Sequence, residues 1–422
     1  MPRPMTSNDQ AWTAIFEALP IPEHVKNHSC FYISAKQINE IGRREARLMA
    51  KFDTREALPR LFKEEGLNIN AVSNGNYIIF KDPQHRSFIE LPDYTALVPV
   101  KIQPSTDFRL ETLAFSPRMS ESNAIDFAHH AHVLSSYSGE AELKLTTRGR
   151  FFSDAFSFLL PEIGSIPVNG VQIEVDAGYE GKEQFLIIEA KASTRSSFNI
   201  RQLYYPFRHF RPKTAKRIRT ILLSFSNGIY YFTEIGLSDG YYDYSILGNT
   251  AYEIVIGDSA ETLTIKDLLS LPVHRPPDVP VPQADDLNKV IDLVGFLADN
   301  PADKFAIAAF FEFDERQGDY YGNAGRYLGF IQKEGAQFTL TGSGQQLWKI
   351  DNRESRNIQV IKAIASTALF NDLLTIYFGQ DEKIDDKQII GRIAQEGLGG
   401  TTPARRKSTV SSWLGWVLRN LP

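Results

Sequence analysis

Residues 171–191 read VQIEVDAGYEGKEQFLIIEAK, and the fold turns on how this stretch is read. VQIEVD and FLIIEAK have the β-branched and apolar content of buried strands, and AGYEGKEQ between them contains Gly178 and Gly181, which permit a turn. Asp176, Glu189 and Lys191 do not suit the interior of an ordinary hairpin, because carboxylates are rarely buried unless paired or bound to a metal. Side chains alternate along a strand. Glu189 and Lys191 therefore share one face, and Gln172, Glu174 and Asp176 share a face of the first run. If the runs pair, two or three carboxylates and an ammonium converge on one patch of sheet. Such a patch offers oxygen ligands to a hard divalent cation, with a lysine beside an attacking water. The plainer reading is a salt-bridged hairpin edge.

Asp176, twelve intervening residues, then Glu189-Ala190-Lys191: this spacing resembles the PD-(D/E)XK nuclease signature, although Val175 stands where that pattern often has proline. The longer string VQIEVDAGYEG…IIEAKAS…FNIRQLYYPFRHF is similar to a family of type II restriction endonucleases of that superfamily. The resemblance implies an α/β (α+β) restriction-endonuclease-like core with a mixed central sheet. It further implies Mg²⁺ held by Asp176 and Glu189, aided by Glu174 and the Ala190 carbonyl, with Lys191 positioning or deprotonating the water. Strand alternation leaves open which of Glu174 and Asp176 is the principal upstream ligand. Gln202, followed by Tyr205, resembles a supporting Gln-Tyr element of some such nucleases. The implied activity is Mg²⁺-dependent, sequence-specific hydrolysis of double-stranded DNA giving 5′-phosphate ends. A cognate DNA methyltransferase would be the functional partner, in a bacterial cytoplasm, and a homodimer would supply two active sites. A structure-selective or repair nuclease of the same fold, or a non-cleaving DNA-binding regulator, are the alternatives.

Composition agrees with a soluble globular protein: 422 residues, 42% hydrophobic and 23% charged, long enough for two or three domains. One cysteine, Cys30, excludes internal disulfides and a multi-cysteine zinc site, and suits a reducing compartment. The start MPRPMTSNDQAW has no apolar signal core, so no secretion or membrane span is expected. A net charge of −5 does not mark a DNA binder, so local basic patches must carry that role.

Residues 1–145 are expected to form an N-terminal DNA-recognition region. ISAKQINEIGRREARLMAKFD reads as one helix capped by Ser34, which would put Arg43, Arg47 and Lys51 on one face as a phosphate-contacting stripe or a merely solvated one. A hairpin turning at Asn74-Gly75 follows. AHHAH looks helical, which points His129, His130 and His132 apart and argues against a metal site. The nuclease core is expected over 146–270, with Asp154 on a helix or strand flanking the site. Downstream of the hairpin, FNIRQLYYPFRHFRPKTAKRIR has no acid; its aromatics read mainly as core, and Arg201, Arg208 and Arg211 as backbone contacts. Another hairpin is expected across Ser226-Asn227-Gly228.

The five prolines of 271–285 read as a linker. Beyond it, 286–422 suggests a mostly helical, winged-helix-like DNA-binding domain: three helices, then a wing turning at Gly342 and Gly344. Arg316, Tyr320, Tyr321, Asn323 and Arg326 on the third helix are the groove candidates. Near the end, Thr402 can cap a helix with Arg405, Arg406 and Lys407 in its first turn, facing phosphate, while Trp413 and Trp416 read as core. A helical oligomerisation module is the plainer reading of this region.

Overall fold

In the computed structural model, which describes residues 5–104, 110–113, 119–257, 262–274, 279–313, 315–380, 383–396 and 402–421, the chain divides into two units. The first comprises Met1–Val100, Glu121–Phe225 and Tyr230–Tyr252; the second comprises Lys101–Ser120, Ser226–Ile229 and Glu253–Pro422. The first is mixed α/β and the second mainly helical.

The N-terminal part of the first unit contains β1 (Cys30–Ser34), α1 (Ala35–Gly42), α2 (Ala46–Met49), β2 (Leu67–Ser73) and β3 (Asn76–Lys81). Ser34 caps α1 as expected: its hydroxyl accepts from the Gln37 amide at 3.2 Å, and Gln37 accepts from the Ser34 amide at 2.9 Å. The β2–β3 hairpin turns at Gly75, whose φ is +75°. The single long helix does not form. Gly42 ends α1 against the Ile15 and Met49 side chains, Arg43 adopts a left-handed φ of 52°, and the Asn39 Oδ1 accepts from the Ala46 amide to start α2. Arg43, Arg47 and Lys51 therefore do not form a stripe on one helix face.

Next come α3 (Glu121–His130), β4 (Lys144–Phe152), β5 (Gln172–Glu180), β6 (Gln184–Lys191), α4 (Arg201–Phe210), β7 (Arg217–Ser226), β8 (Ile229–Leu237) and β9 (Tyr244–Ile254). Six neighbouring strands of the seven-stranded main sheet run β9-β8-β7-β6-β5-β4. β6 is antiparallel to β5, from Phe185↔Glu180 to Ile188↔Ala177, and parallel to β7, from Gln184↔Arg217 to Lys191↔Ser224. The sheet is thus mixed, and the two runs of 171–191 are neighbouring strands. Their turn is shorter than expected. Gly178 stays in β5, pressed by Phe185 and Thr147, and only Gly181–Glu183 connect the strands.

On α4, Tyr204, Tyr205 and Phe207 are buried as expected. The Tyr205 hydroxyl donates to the Ala71 carbonyl at 2.8 Å, and Val72 and Phe80 share a core with Val175, Ile187 and Leu203. The expected N-terminal region and nuclease core therefore pack as one body. Asp154 lies between strands, exposed, with Lys213 at 2.9 Å. His129 and His130 close α3, and His132 follows in a left-handed conformation.

In the second unit, α5 (Leu287–Asp299), α6 (Lys304–Phe311) and α7 (Glu315–Tyr327) precede β10 (Ile331–Glu334), β11 (Gln337–Leu340) and α8 (Gly342–Trp348). Three helices and a hairpin occur in the expected order. The hairpin turns at Gly335, φ 59°, rather than at Gly342 and Gly344, because Thr341 caps α8 by accepting from the Gly344 amide at 3.1 Å. Tyr321 is buried in the core, so it cannot be a groove contact. Trp413 and Trp416, on α9 (Thr402–Asn420), are core. The Trp413 indole donates to the Ala284 carbonyl at 2.7 Å, and Val281 and Ala284 are buried, so the described part of 271–285 is packed rather than a free spacer. The Thr402 cap falls on a side chain outside the described residues. Among the described residues no helix is long and apolar enough to cross a membrane.

Asp292 of α5 is buried, accepting from the Ser226 hydroxyl at 2.6 Å and the Asn227 amide at 2.8 Å. The Asn227 side-chain oxygen in turn accepts from buried Arg356 at 3.0–3.1 Å. Burial pushes the Asp292 carboxyl up to about 7. With its folded value above its unfolded one, the contribution of Asp292 to stability is full below the unfolded pKa and is lost as pH rises through about 7. Asp292→Asn should therefore flatten the decline in stability of this unit between acid and neutral pH. Chemical denaturation across that range measures it, and a wild-type slope in the variant would count against this role.

Candidate active site

At the Lys191 end of β6 the side chains of the sequence motif come together. The Lys191 Nζ donates to the Glu189 Oε1 at 2.8 Å, and the Gln202 amide, delivered by α4, donates to the same oxygen at 3.0 Å. Glu189 and Lys191 are 7% and 6% exposed, so little water competes for either charge. The Asp176 carboxylate reaches across from β5 and accepts from the Ala190 amide at 2.8 Å. Glu174 behaves differently. It faces Arg150 across the β4–β5 ladder, is exposed, and receives the Arg150 Nε at 3.0 Å.

Burial dominates the electrostatics. It pushes the Glu189 carboxyl up to about 8, with Asp176 adding repulsion and Lys191 opposing both. Asp176 is also raised by burial, against the Ala190 hydrogen bond and the Lys191 charge. Two carboxylates that resist ionisation beside one another suit a hard divalent cation, which would relieve both costs. Two further oxygens are buried without a hydrogen-bond partner, the Gln202 Oε1 and the Asp53 Oδ1. Asp53 contributes to raising Glu189, so it lies within electrostatic reach of the site. The donor set is hard and partly unsatisfied, which fits Mg²⁺. Among the described residues no group of three or more His, Cys, Asp and Glu side chains is arranged to hold an ion. One or two carboxylates, with water and phosphate oxygens completing the shell, are the usual Mg²⁺ arrangement.

A cleft of about 590 Å³ opens beside this cluster, between the N-terminal part of the unit and the sheet. Glu189, Glu174 and Gln202 line it together with Arg47, Lys51, Asp53, Asn74, Tyr77, Arg150 and Arg201. Three expected DNA contacts, Arg47, Lys51 and Arg201, are thus gathered at the motif, although Lys51 also meets Asp53 at 3.7 Å. Arg43 is exposed and does not line the cleft. Arg208 and Arg211 are turned to Asp239, at 3.2 and 3.5 Å.

In the second unit, the Asn323 amide donates to Asp319 at 3.0 Å, Arg326 donates to the Asn323 oxygen at 2.9 Å, and Tyr320 is half-buried. Arg405 is exposed, Lys407 pairs with Asp386 at 2.7 Å, and burial lowers the pKa of Arg406.

Sequence reasoning missed Asp53 and Arg150. Asp53 is the last residue of the stretch expected as one helix, and nothing in its spacing ties it to residues 171–191. Arg150 had a usable signal, since a strand over 144–152 beside β5 would oppose it to Glu174.

Three family models match the chain, over residues 9–79, 84–253 and 289–421, and each is described as a domain of unknown function (DUF6996, DUF6997 and DUF7226). No curated protein and no solved structure matches it. Asp176, Glu189, Lys191 and Gln202 fall in the 84–253 match, and Lys51 and Asp53 in the 9–79 match.

Because Asp176 is disfavoured as an anion in the folded state, Asp176→Asn should stabilise the first unit without divalent metal. The variant's melting midpoint should therefore lie above that of the wild type. Added Mg²⁺ should raise the midpoint of the wild type and leave the variant unchanged. Thermal denaturation with and without the ion reads both effects, and a destabilised variant would contradict the electrostatic account.

Proposed function

We propose that this chain is a Mg²⁺-dependent endonuclease acting on double-stranded DNA, in the form of a sequence-specific restriction enzyme paired with a cognate methyltransferase. The observation that carries the reading is the meeting of Asp176, Glu189, Lys191 and Gln202, two of which, Glu189 and Gln202, line a cleft where Arg47, Lys51, Arg150 and Arg201 stand among Glu45, Asp53 and Glu174. The likeness of 171–210 to type II restriction endonucleases supplies the substrate class.

Asp176 and Glu189, with the Ala190 carbonyl, would hold the ion. When bound, Mg²⁺ supplies positive charge that acidifies water and stabilises a departing alkoxide. Gln202 fixes the Glu189 carboxylate by its amide hydrogen bond and so sets the direction of that ligand. Lys191, hydrogen-bonded to Glu189, would position or deprotonate the attacking water and offset charge building on the phosphate. Arg47, Lys51 and Arg201 line the path of the DNA backbone and neutralise its phosphates. Water adds to phosphorus as the bond to the 3′ oxygen breaks, which leaves 5′-phosphate and 3′-hydroxyl ends. The helix-helix-helix-hairpin order of the second unit supports a winged-helix-like reader, with Tyr320, Asn323 and Arg326 on α7 as base contacts.

Incubating plasmid and long linear DNA with Mg²⁺ tests the reading directly. Discrete fragments are the expected product, ragged degradation would favour a repair nuclease, and intact DNA bound tightly would favour a regulator. Asp176→Ala and Lys191→Ala should each cut cleavage by orders of magnitude while DNA binding in Ca²⁺ persists.

The basic turn of α9 is tested separately. Replacing Arg405, Arg406 and Lys407 by Ala should weaken cognate and random DNA alike. The salt dependence of binding should become shallower by about 0.9 in log–log slope for each phosphate that is no longer neutralised. Unchanged affinity and slope, together with loss of a dimer on removing 286–422, would instead assign that region to oligomerisation.

A further inference from the structure

The β4–β5 ladder is irregular where it passes Asp176. Its partners run Leu145↔Tyr179, Thr147↔Gly178 and then Gly149↔Val175. The register slips by one residue at Thr146 and slips back beyond Thr147, so that Arg148 alone stands against both Asp176 and Ala177. Gly149 makes the irregularity possible. Its φ is +102°, where L side chains are strained, although nothing lies within 4 Å of the position a Cβ would take. A bulge of this kind bends a strand and re-aims a side chain, and such bulges are frequent beside active sites. Here the re-aimed side chain is Asp176, which reaches the Ala190 amide of β6.

The bulge is held from the side. The Arg148 Nε donates to the Asp176 carbonyl at 2.9 Å, and its Nη1 donates to the Asp126 Oδ2 at 2.8 Å. Its Nη2 meets the other Asp126 oxygen, which completes a two-point fork from α3, and the Tyr179 hydroxyl donates to Asp126 at 3.4 Å. A guanidinium gripped in this way has little freedom, so the peptide of Asp176 is fixed as well.

We infer that Arg148 is a positioning residue for the cation-binding carboxylate: clamped by Asp126, it locks the Asp176 bulge so that this carboxylate is aimed at the Glu189 site before an ion arrives. The inference rests on the reading of Asp176 and Glu189 as metal ligands. Arg148 hydrogen-bonds the Asp176 backbone and not its carboxylate, although the two charges also feel one another, and neither Arg148 nor Asp126 lines the cleft.

The test is Mn²⁺ binding to the full-length protein by calorimetry, without DNA. Arg148→Ala should weaken binding about tenfold or more, the range found when a partner that orients a ligand is removed. Gly149→Ala, which strains the bulge without changing charge, should weaken it in the same direction, and Asp126→Asn by a smaller factor. Free guanidinium ion at low concentration should restore part of the affinity of Arg148→Ala, an effect that a general packing defect would not show. Melting curves without metal report whether each variant folds, and if Arg148→Ala does not, Gly149→Ala and Asp126→Asn decide the matter. Wild-type Mn²⁺ affinity in folded Arg148→Ala, while Asp176→Ala binds none, would overturn the inference and leave the metal reading intact. Failure of the wild type to bind Mn²⁺ would overturn the metal reading and this inference with it.

Discussion

Glu189 and Lys191 are hydrogen-bonded at 2.8 Å in a place where little water can share a charge, and burial opposes the ionisation of Glu189. Exposed pairs of this sort contribute little to stability, and buried ones often cost more in desolvation than their attraction returns. The strand carrying this pair is bonded to β7 through Lys191, and to β5 as far as Ile188, beyond which the Asp176 side chain takes the Ala190 amide. The rest of the first unit follows from that constraint. α4 packs where it can deliver Gln202 to the same carboxylate oxygen, and Asp176 reaches in from the neighbouring strand. The site thus holds two neighbouring carboxyls whose ionisation burial opposes.

The N-terminal part of the chain is drawn into this arrangement by a backbone event. Had α1 continued past Gly42, its cations would have pointed along one solvent-facing stripe. The left-handed Arg43 instead redirects the chain, and the segment after α2 brings Lys51 and Asp53 to the cleft wall. One cation and one anion arrive together, so the cleft is graded in charge rather than uniformly basic. That grading agrees with a chain whose overall charge is negative, at −5.

Much of the first unit was legible because strands leave a strong local record. The alternation in VQIEVD and FLIIEAK gave the paired strands and the shared face of Glu189 and Lys191, and Ser34 and Asn74-Gly75 marked their cap and turn. What was not legible depended on neighbours distant in sequence. The helix stops at Gly42, where a side chain would meet Ile15 and Met49, and Arg43 turns left-handed. The proline-rich stretch is packed because Trp413 reaches Ala284. Gly342 and Gly344 suggested a turn, yet Thr341 turned the same residues into a helix start. Strand alternation alone could not separate Glu174 from Asp176. The pairing with Arg150 on one side and the Ala190 amide on the other distinguishes their surroundings.

The parallel pairing of β6 with β7 has a consequence for how the protein is made. Two parallel neighbours cannot be joined by a tight turn, so residues 192–216 must cross over, and that crossover is the segment bearing Gln202. On a chain emerging from its N-terminus, Asp176, Glu189 and Lys191 are all synthesised before the strand that braces them exists. Pairings of such long sequence separation close late in folding. The cluster can therefore acquire its dry, rigid character only when the sheet closes, and a nascent or partly folded chain carries the motif without the site.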